Sequence, residues 1–369
     1  SPPGGDEGIR LPGTGEGRGR SGRKRSGGGA EGRPAPISGD RGARGCLLGA
    51  MQRVQLSSRQ PDSVLVTGSV GYDDIETPHA RDERILGGSA SYISLAASYF
   101  SPVCMVGVVG NDFAQADRDR LAAHGIDTEG LQEDGSGPTF RWSGKYHENY
   151  NRRETLDLRL NVFEKFQPHL PGAQRDSRFV ILGNIHPELQ TYVLDQLTDE
   201  EVFVAADTID LWIETAREPL LRLLQRIHLL VVNDSEATLL TGEDNLIRAG
   251  ETLRTMGPRE VVVKKGEHGA YLFHPEGLFA LPAYPVTELR DPTGAGDAFL
   301  GAMVGTLSAL GDTTLAAQKL GLLYGTVVAS LTVEAFSCDR LASGGRDLIE
   351  ERVEKLRTMT RLESGVALG

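Results

Sequence analysis

The sequence predicts an α/β protein: a three-layer α/β/α arrangement with a mostly parallel central sheet, plus a small β-sheet lid. Three observations carry this. Short, continuously apolar runs recur along the chain, each separated from the next by a helix-length segment. Two segments in the middle change to apolar–polar alternation. A glycine-rich turn near the C-terminal end opens a long apolar helix. Continuous apolar strands alternating with helices build parallel sheets covered on both faces, whereas period-two alternation leaves one face open.

In chain order, residues 1–60 come first and differ from all that follows. From Gly15 to Gly29 they are rich in glycine and arginine with almost no apolar side chains. Such a stretch cannot bury enough surface to offset its ordering entropy, so disorder is expected. The first methionine is Met51, and translation is expected to begin there, which would leave the preceding residues outside the native protein. Residues 61–362 are expected to form a single domain. Residues 64–68 form a short apolar strand ending in glycine, 89–99 a helix, and 103–109 a buried strand. Residues 179–182, 202–205, 229–232 and 261–263 are further buried strands.

The alternating segments come between these. Phe140, Trp142, Gly144 and Tyr146 alternate with Arg141, Ser143, Lys145 and His147. Leu156, Leu158, Leu160 and Val162 alternate with Asp157, Arg159 and Asn161. Lid strands are therefore expected near 72–86 and 137–163, in a small antiparallel sheet outside the main layers. Its apolar face has to cover a substrate, a second subunit or both, so a homodimer through the lid is expected.

Bulk properties exclude several classes. The formal net charge of −12 argues against a nucleic-acid partner. Cys46, Cys104 and Cys338 are odd in number and far apart, which disfavours a disulfide framework or a structural zinc site. No apolar run is long enough to span a bilayer and no secretory signal opens the chain, so no membrane partner and a cytoplasmic location are expected. A Gly-x4-Gly-Lys-Ser/Thr loop, a His-Glu-x-x-His pair and a dinucleotide fingerprint after the first strand are all missing. The histidines form no ligand-spaced pair.

The strongest chemical signal is Asp291-Pro292-Thr293-Gly294-Ala295-Gly296-Asp297, followed by Phe299, Met303, Thr306, Leu307 and Leu310 at helical spacing. The first amides of a helix lack internal partners and carry the positive end of its dipole. Glycines at 294 and 296 let those amides approach a phosphate, and an acid in the first turn is held ionised beside it. A carboxylate so placed accepts the proton of a hydroxyl attacking that phosphate. Read alone, Gly-x-Gly-Asp is equally a plain N-cap.

The seven-residue run resembles the C-terminal signature of the ribokinase-like, PfkB-type carbohydrate kinase family. Gly87-Gly88 before the first long helix, Asn233-Asp234-Ser235-Glu236 after a buried strand, and Lys264 to Gly269 after the next one match the family in order and spacing. The resemblance extends from about Ser63 to Ser337 and implies a single kinase domain with ribokinase-like architecture. It implies an ATP- and Mg2+-dependent phosphotransferase acting on a hydroxyl of a small sugar or sugar-like molecule. Asp297 would be the catalytic base, with Gly294, Ala295 and Gly296 as the anion hole. Asp73, Gly87 and Gly88 would bind substrate. Asn233, Glu236, Lys264, Gly266, Gly269 and Thr293 would bind nucleotide, with Glu236 holding Mg2+ through water. Asp291 and Thr293 fall where some members bind a monovalent cation such as K+.

Taken without the resemblance, Asp73 is also a surface turn acid, Asn233 to Glu236 a helix start, and Lys264 to Gly269 a hairpin turn. Asp207-Thr208-Ile209-Asp210, after another strand, could face the cleft. True ribokinases carry asparagines near the positions of Gly71 and Tyr92, which disfavours ribose, and residues 333–337 differ from the usual cation loop. The alternative function is a non-catalytic sugar- or nucleotide-binding regulatory protein on the same fold, which would not need an acid at 297. A nicotinamide oxidoreductase lacks its fingerprint.

Overall fold

A computed structural model describes residues 62–148, 150, 152–199 and 201–362. The glycine-rich extension expected at 1–60, Met51 included, lies outside them. The described strands are β1 (Val64–Thr67), β2 (Gly71–Glu76), β3 (Arg81–Gly87), β4 (Val103–Gly110), β5 (Ile126–Asp134), β6 (Phe140–Tyr146), β7 (Arg153–Arg159), β8 (Phe179–Leu182), β9 (Phe203–Asp207), β10 (Leu229–Asn233), β11 (Glu260–Lys264), β12 (Ala270–His274) and β13 (Gly277–Leu281).

Nine strands form the main sheet in the order β13-β12-β11-β10-β9-β8-β1-β4-β5. From β11 through to β5 every pairing is parallel; β12 runs antiparallel between β11 and β13 at one edge. β1, β8, β9, β10 and β11 are apolar on both faces because both faces are covered. Alternate residues of β1 divide between two cores: Val64 and Val66 pack with helices Ser89–Ser98, Ala295–Leu310 and Leu315–Thr332, and Leu65 packs on the other side with helices 187–194, 217–224 and 246–255. The strand order reverses at β1, between β8 and β4. Crevices at the carboxyl ends of strands beside such a reversal are where open α/β sheets bind ligands.

Helices Ser89–Ser98 and Ala295–Leu310 touch through backbone. A Cβ on Gly301 would overlap the carbonyl of Ile93, and one on Gly305 would lie 3.0 Å from Ala97 Cα. These glycines bring the two axes closer than side chains would permit.

The smaller sheet has the order β3-β2-β6-β7. Hairpins β2–β3 and β6–β7 are antiparallel, and the central β2–β6 pairing that joins them is parallel. β7 departs from the alternation that predicted it. It stops at Arg159, every residue in it is exposed, and Leu156 and Leu158 are 50% and 46% exposed. Asn161, at φ 52°, turns the chain into a 3-10 segment where Val162 is buried. Among the described residues no helix is long and apolar enough to cross a membrane.

Candidate active site

The signature turn folds as its composition requires. Gly294, at φ 75°, is the N-cap of helix Ala295–Leu310, and no side chain caps that end. A left-handed residue at this point is easy only for glycine. A Cβ there would also overlap the ring of Tyr92, which is 1% exposed and lies directly beneath. Gly296 leaves room for a cation: the Lys264 ammonium nitrogen lies 2.6 Å from where its Cβ would be. The turn therefore presents uncapped helix amides with a cation beside them, the electrostatics of an anion site.

Asp297 stands in the first turn of that helix, partly exposed. Burial pushes its carboxyl up to about 6, opposed by Lys264, by a hydrogen bond with Asp207 and by Arg153. Asp207, the last residue of β9, is 8% exposed. Burial and the neighbouring Asp297 charge drive its carboxyl far above the usual range. The three predicted elements after β9, β10 and β11 are thus neighbours: Asp207 sits across from Val231, and Asn233 from Lys264.

Asn233 and Glu236 form a capping box. Asn233 Oδ1 accepts from the Glu236 amide at 2.8 Å, and Glu236 Oε2 accepts from the Asn233 amide at 2.8 Å. This is the helix start that the sequence alone allowed, and it leaves Glu236 Oε1 outside the box. Burial raises the Glu236 carboxyl to about 7, with Lys264 opposing. Gly266 and Gly269 belong to the turn between β11 and β12, at φ 53° and 88°, with Lys265 N donating to Gly269 O at 2.8 Å. They therefore sit one turn beyond Lys264.

On the other side of the cleft, Asp73 in β2 is 3% exposed and lies over Gly87, where any Cβ would overlap its carboxyl. Gly88 follows at φ 87° as the N-cap of helix Ser89–Ser98. Burial and the carboxyls of Asp291 and Asp297 push Asp73 well above the ordinary carboxylate range. Asp291 is fully buried. Its Oδ1 accepts from the Thr293 amide at 2.9 Å, its Oδ2 has no partner, and burial raises it to about 6. In the adjoining segment Glu334 is gripped by Arg352 through two 2.8 Å contacts.

Several contacts were not legible beforehand. Thr293 Oγ1 donates to the Tyr146 hydroxyl at 3.0 Å, joining β6 of the small sheet to the signature turn. Tyr146 is 7% exposed and burial raises its hydroxyl to about 12. It packs and hydrogen-bonds within the protein. Arg153, at the start of β7, is the small-sheet cation that lowers Asp73, Asp297 and Glu236 together. Nothing in a local window signals either role, since both depend on how the small sheet folds over the cleft.

Comparison with known proteins bears on the fold and the family. The chain is 28% identical over 244 residues to a cytidine kinase of Thermococcus kodakarensis, covering 64% of this chain and 86% of that one. It is 25% identical over 315 residues to an inositol 3-kinase of Zea mays, covering 79% and 78%. The crystal structure of aminoimidazole riboside kinase from Salmonella enterica, complexed with aminoimidazole riboside and an ATP analogue, superimposes with a TM-score of 0.65 at 19% identity, covering 79% of this chain and all of that one. That likeness speaks to the fold: a large, mostly parallel sheet with a smaller one beside it. The model of the pfkB family carbohydrate kinases matches residues 63–342, from the first strand through the signature turn and beyond. A match of that extent, over a fold of this order and a turn of this sequence, means that the chain belongs to the pfkB family of carbohydrate kinases.

Proposed function

We propose that this enzyme transfers the terminal phosphoryl group of ATP to a hydroxyl of a small sugar-like molecule, free or within a nucleoside, with Asp297 as the base. The observation that carries this is the Asp297 carboxyl in an uncapped, glycine-opened helix turn with Lys264 lying against Gly296. Amides of Gly294, Ala295 and Gly296 face the migrating charge, and Lys264 adds a cation where charge accumulates. Positioning and charge stabilisation are what phosphoryl transfer asks of a protein. Asp73, fixed by its seat on Gly87, accepts hydrogen bonds from acceptor hydroxyls. Arg153 and Tyr146 close the cleft from the small sheet and exclude water.

Bound Mg2+ would supply charge neutralisation along the nucleotide tail. Glu236 fits as its water-mediated partner, since the capping box leaves Oε1 outside it. The buried, unpartnered Oδ2 of Asp291 fits a monovalent cation. The exposed leucines of β7 fit an apolar contact with a second copy of the chain; a monomer at micromolar concentration in sedimentation would remove that part of the reading. The named relatives act on a nucleoside and on a cyclitol, which favours a polyhydroxylated ring as acceptor.

The test is ADP release with ATP, Mg2+ and a panel containing cytidine, inositol and simple sugars. Release that depends on one acceptor is expected, and Asp297→Asn should lower kcat by roughly 10²–10⁴ with nucleotide binding intact. Near-normal turnover in that variant removes Asp297 as base. Nucleotide binding with no acceptor-dependent release from a broad panel would point to a binding protein.

A further inference from the structure

The face of the small sheet turned away from Asp73 borders a cavity of about 100 Å³ that has no part in the reading above. Alternation along β2 puts Tyr72 and Asp74 on the opposite face from Asp73, which sits over Gly87. The strand register sets Tyr72, Arg141 and Arg159 in one row across β2, β6 and β7, and all three line the cavity. Arg84 lines it from β3, Asp112 from the segment after β4 and Asn161 from the segment after β7. The wall thus sets three guanidiniums against one carboxylate, in a chain of net charge −12. That carboxylate is already engaged: Asp112 Oδ1 accepts from the Thr139 amide at 2.7 Å, and Oδ2 lies 3.7 Å from Arg84. Arg141 and Arg159 are cross-strand partners, a like-charge pairing that is unfavourable on its own. Asp74 accepts from Arg141 Nε and Nη2 at 2.8 Å, and Asp157 accepts from Arg159 Nε at 2.7 Å. Those bonds leave Arg141 Nη1 and both terminal nitrogens of Arg159 for a further acceptor. Arg84 is held in place from three sides. Its amide donates to Asp74 Oδ1 at 2.8 Å, its guanidinium lies 4.7 Å over the Tyr72 ring, and Nη2 donates to Asp112 O at 2.7 Å. It belongs to a β-bulge, where Glu83 and Arg84 stand opposite the single residue Asp74, a device that re-aims side chains. Arg84 is at φ 53° and Asn161 at φ 52°, two of the four non-glycine residues at positive φ among the described residues. Backbone of that kind persists only where its surroundings enforce it, and it gathers at binding sites.

We propose that this cavity is an anion site separate from the signature turn, and that it takes a tetrahedral oxyanion: phosphate, free or as the end of a small phosphomonoester. Guanidinium forks match such oxygens in charge and in geometry. The volume lies well below the ~300–1,000 Å³ of sites that enclose drug-sized molecules, so it fits a phosphate group and excludes a nucleoside. The bound anion relieves the Arg141–Arg159 pairing and ties the row across β2, β6 and β7 to the corner at Asp112. Tyr72 and Asp74 flank Asp73 in the chain, so the anion holds from behind the strand that carries Asp73 on its front.

Backbone amide NMR of the full chain, titrated with inorganic phosphate at constant ionic strength, tests this whether or not the protein turns over a substrate. Saturating shifts are expected at the amides of Arg84, Thr139, Arg141 and Asn161, distinct from any at residues 294–297. Arg159 is exposed and its ion pair with Asp157 is screened by solvent, so Arg159→Gln should fold as the wild type does. It should weaken phosphate binding at the cavity by about tenfold or more and leave shifts at 294–297 unchanged. Arg84→Gln should do the same from the other side of the cavity. Shifts confined to 294–297, an equal response to chloride, or wild-type phosphate binding in both variants would overturn the proposal. Glycerol phosphate, titrated in parallel, identifies the source of the anion: tighter binding than phosphate assigns the site to a monoester, and weaker binding to the free ion. Binding of neither overturns it. Hydrogen exchange at the amides of β2 and β3 should slow several-fold at saturating anion; unchanged exchange would overturn the tie between the small sheet and the corner at Asp112.

Discussion

Replacing Gly294 by alanine puts two independent penalties on one atom. The residue is at φ 75°, where an L side chain meets its own backbone, a penalty of ~1–2 kcal/mol. The new methyl also overlaps Cγ, Cδ1 and Cε1 of Tyr92, a ring held at 1% exposure with little room to retreat. Overpacking of that kind is worth ~1–3 kcal/mol. Together they predict a destabilisation of roughly 2–5 kcal/mol, or a Tm lowered on the order of 5–10 °C. A turn that shifts to relieve the overlap keeps part of the stability but misaligns its amides, so kcat should fall by roughly 10²-fold, comparable to losing one oxyanion donor. Urea denaturation and steady-state kinetics read the two effects separately. A double-mutant cycle with Tyr92→Leu isolates the contact, because it removes the ring and leaves the φ penalty. Coupling of at least ~1 kcal/mol is expected. Additive effects, or an alanine variant with wild-type stability and turnover, would refute the account of the ring as the floor of this turn.

Three more outcomes follow from the same geometry. Gly87→Ala drives a methyl into the Asp73 carboxyl, and should raise the acceptor KM by about tenfold or more while nucleotide affinity, measured by calorimetry, stays put. Arg352→Ala removes two 2.8 Å contacts from Glu334, which keeps Arg340 at 3.4 Å, and should lower unfolding free energy by about 1–3 kcal/mol. Glu260, 2% exposed, is raised by burial to about 7 from 4.5. The folded state then binds this proton more tightly, so its stabilisation is full below pH 4.5 and is lost as pH rises to about 7. Glu260→Gln, which keeps an acceptor for Gln318, should match the wild type near pH 5 and exceed it by up to about 3 kcal/mol at pH 8 in denaturant titrations.

What the sequence revealed and what it hid divide along physical lines. The signature turn was legible because anion amides, glycines and acid are all set by seven consecutive residues. The buried strands were legible because covering both faces demands uninterrupted apolar runs. β3 and β5 were harder: Arg81 to Arg84 and Asp127 to Glu129 are charged and exposed at sheet edges, where no alternation is imposed. The leucines of β7 read as a buried face, yet among the described residues Leu156 and Leu158 stand half exposed. Asp207 was read as able to face the cleft but had no partner, because its nearness to Asp297 depends on the register of β9 and on a helix that begins almost ninety residues later. Tyr92 beneath Gly294 is a contact between a helix and a turn about two hundred residues apart in the chain.

The glycine-seamed contact between helices Ser89–Ser98 and Ala295–Leu310 sets what in this molecule is free to vary. On the proposed reading, one helix begins at the acceptor wall and the other at the phosphate turn. Fused at Gly301 and Gly305, they act as a jig: the gap between donor and recipient is machined into the backbone and does not drift with side-chain replacement. Diversity of acceptor then belongs to the small sheet, whose outer strands can be re-tailored without retuning the machinery underneath.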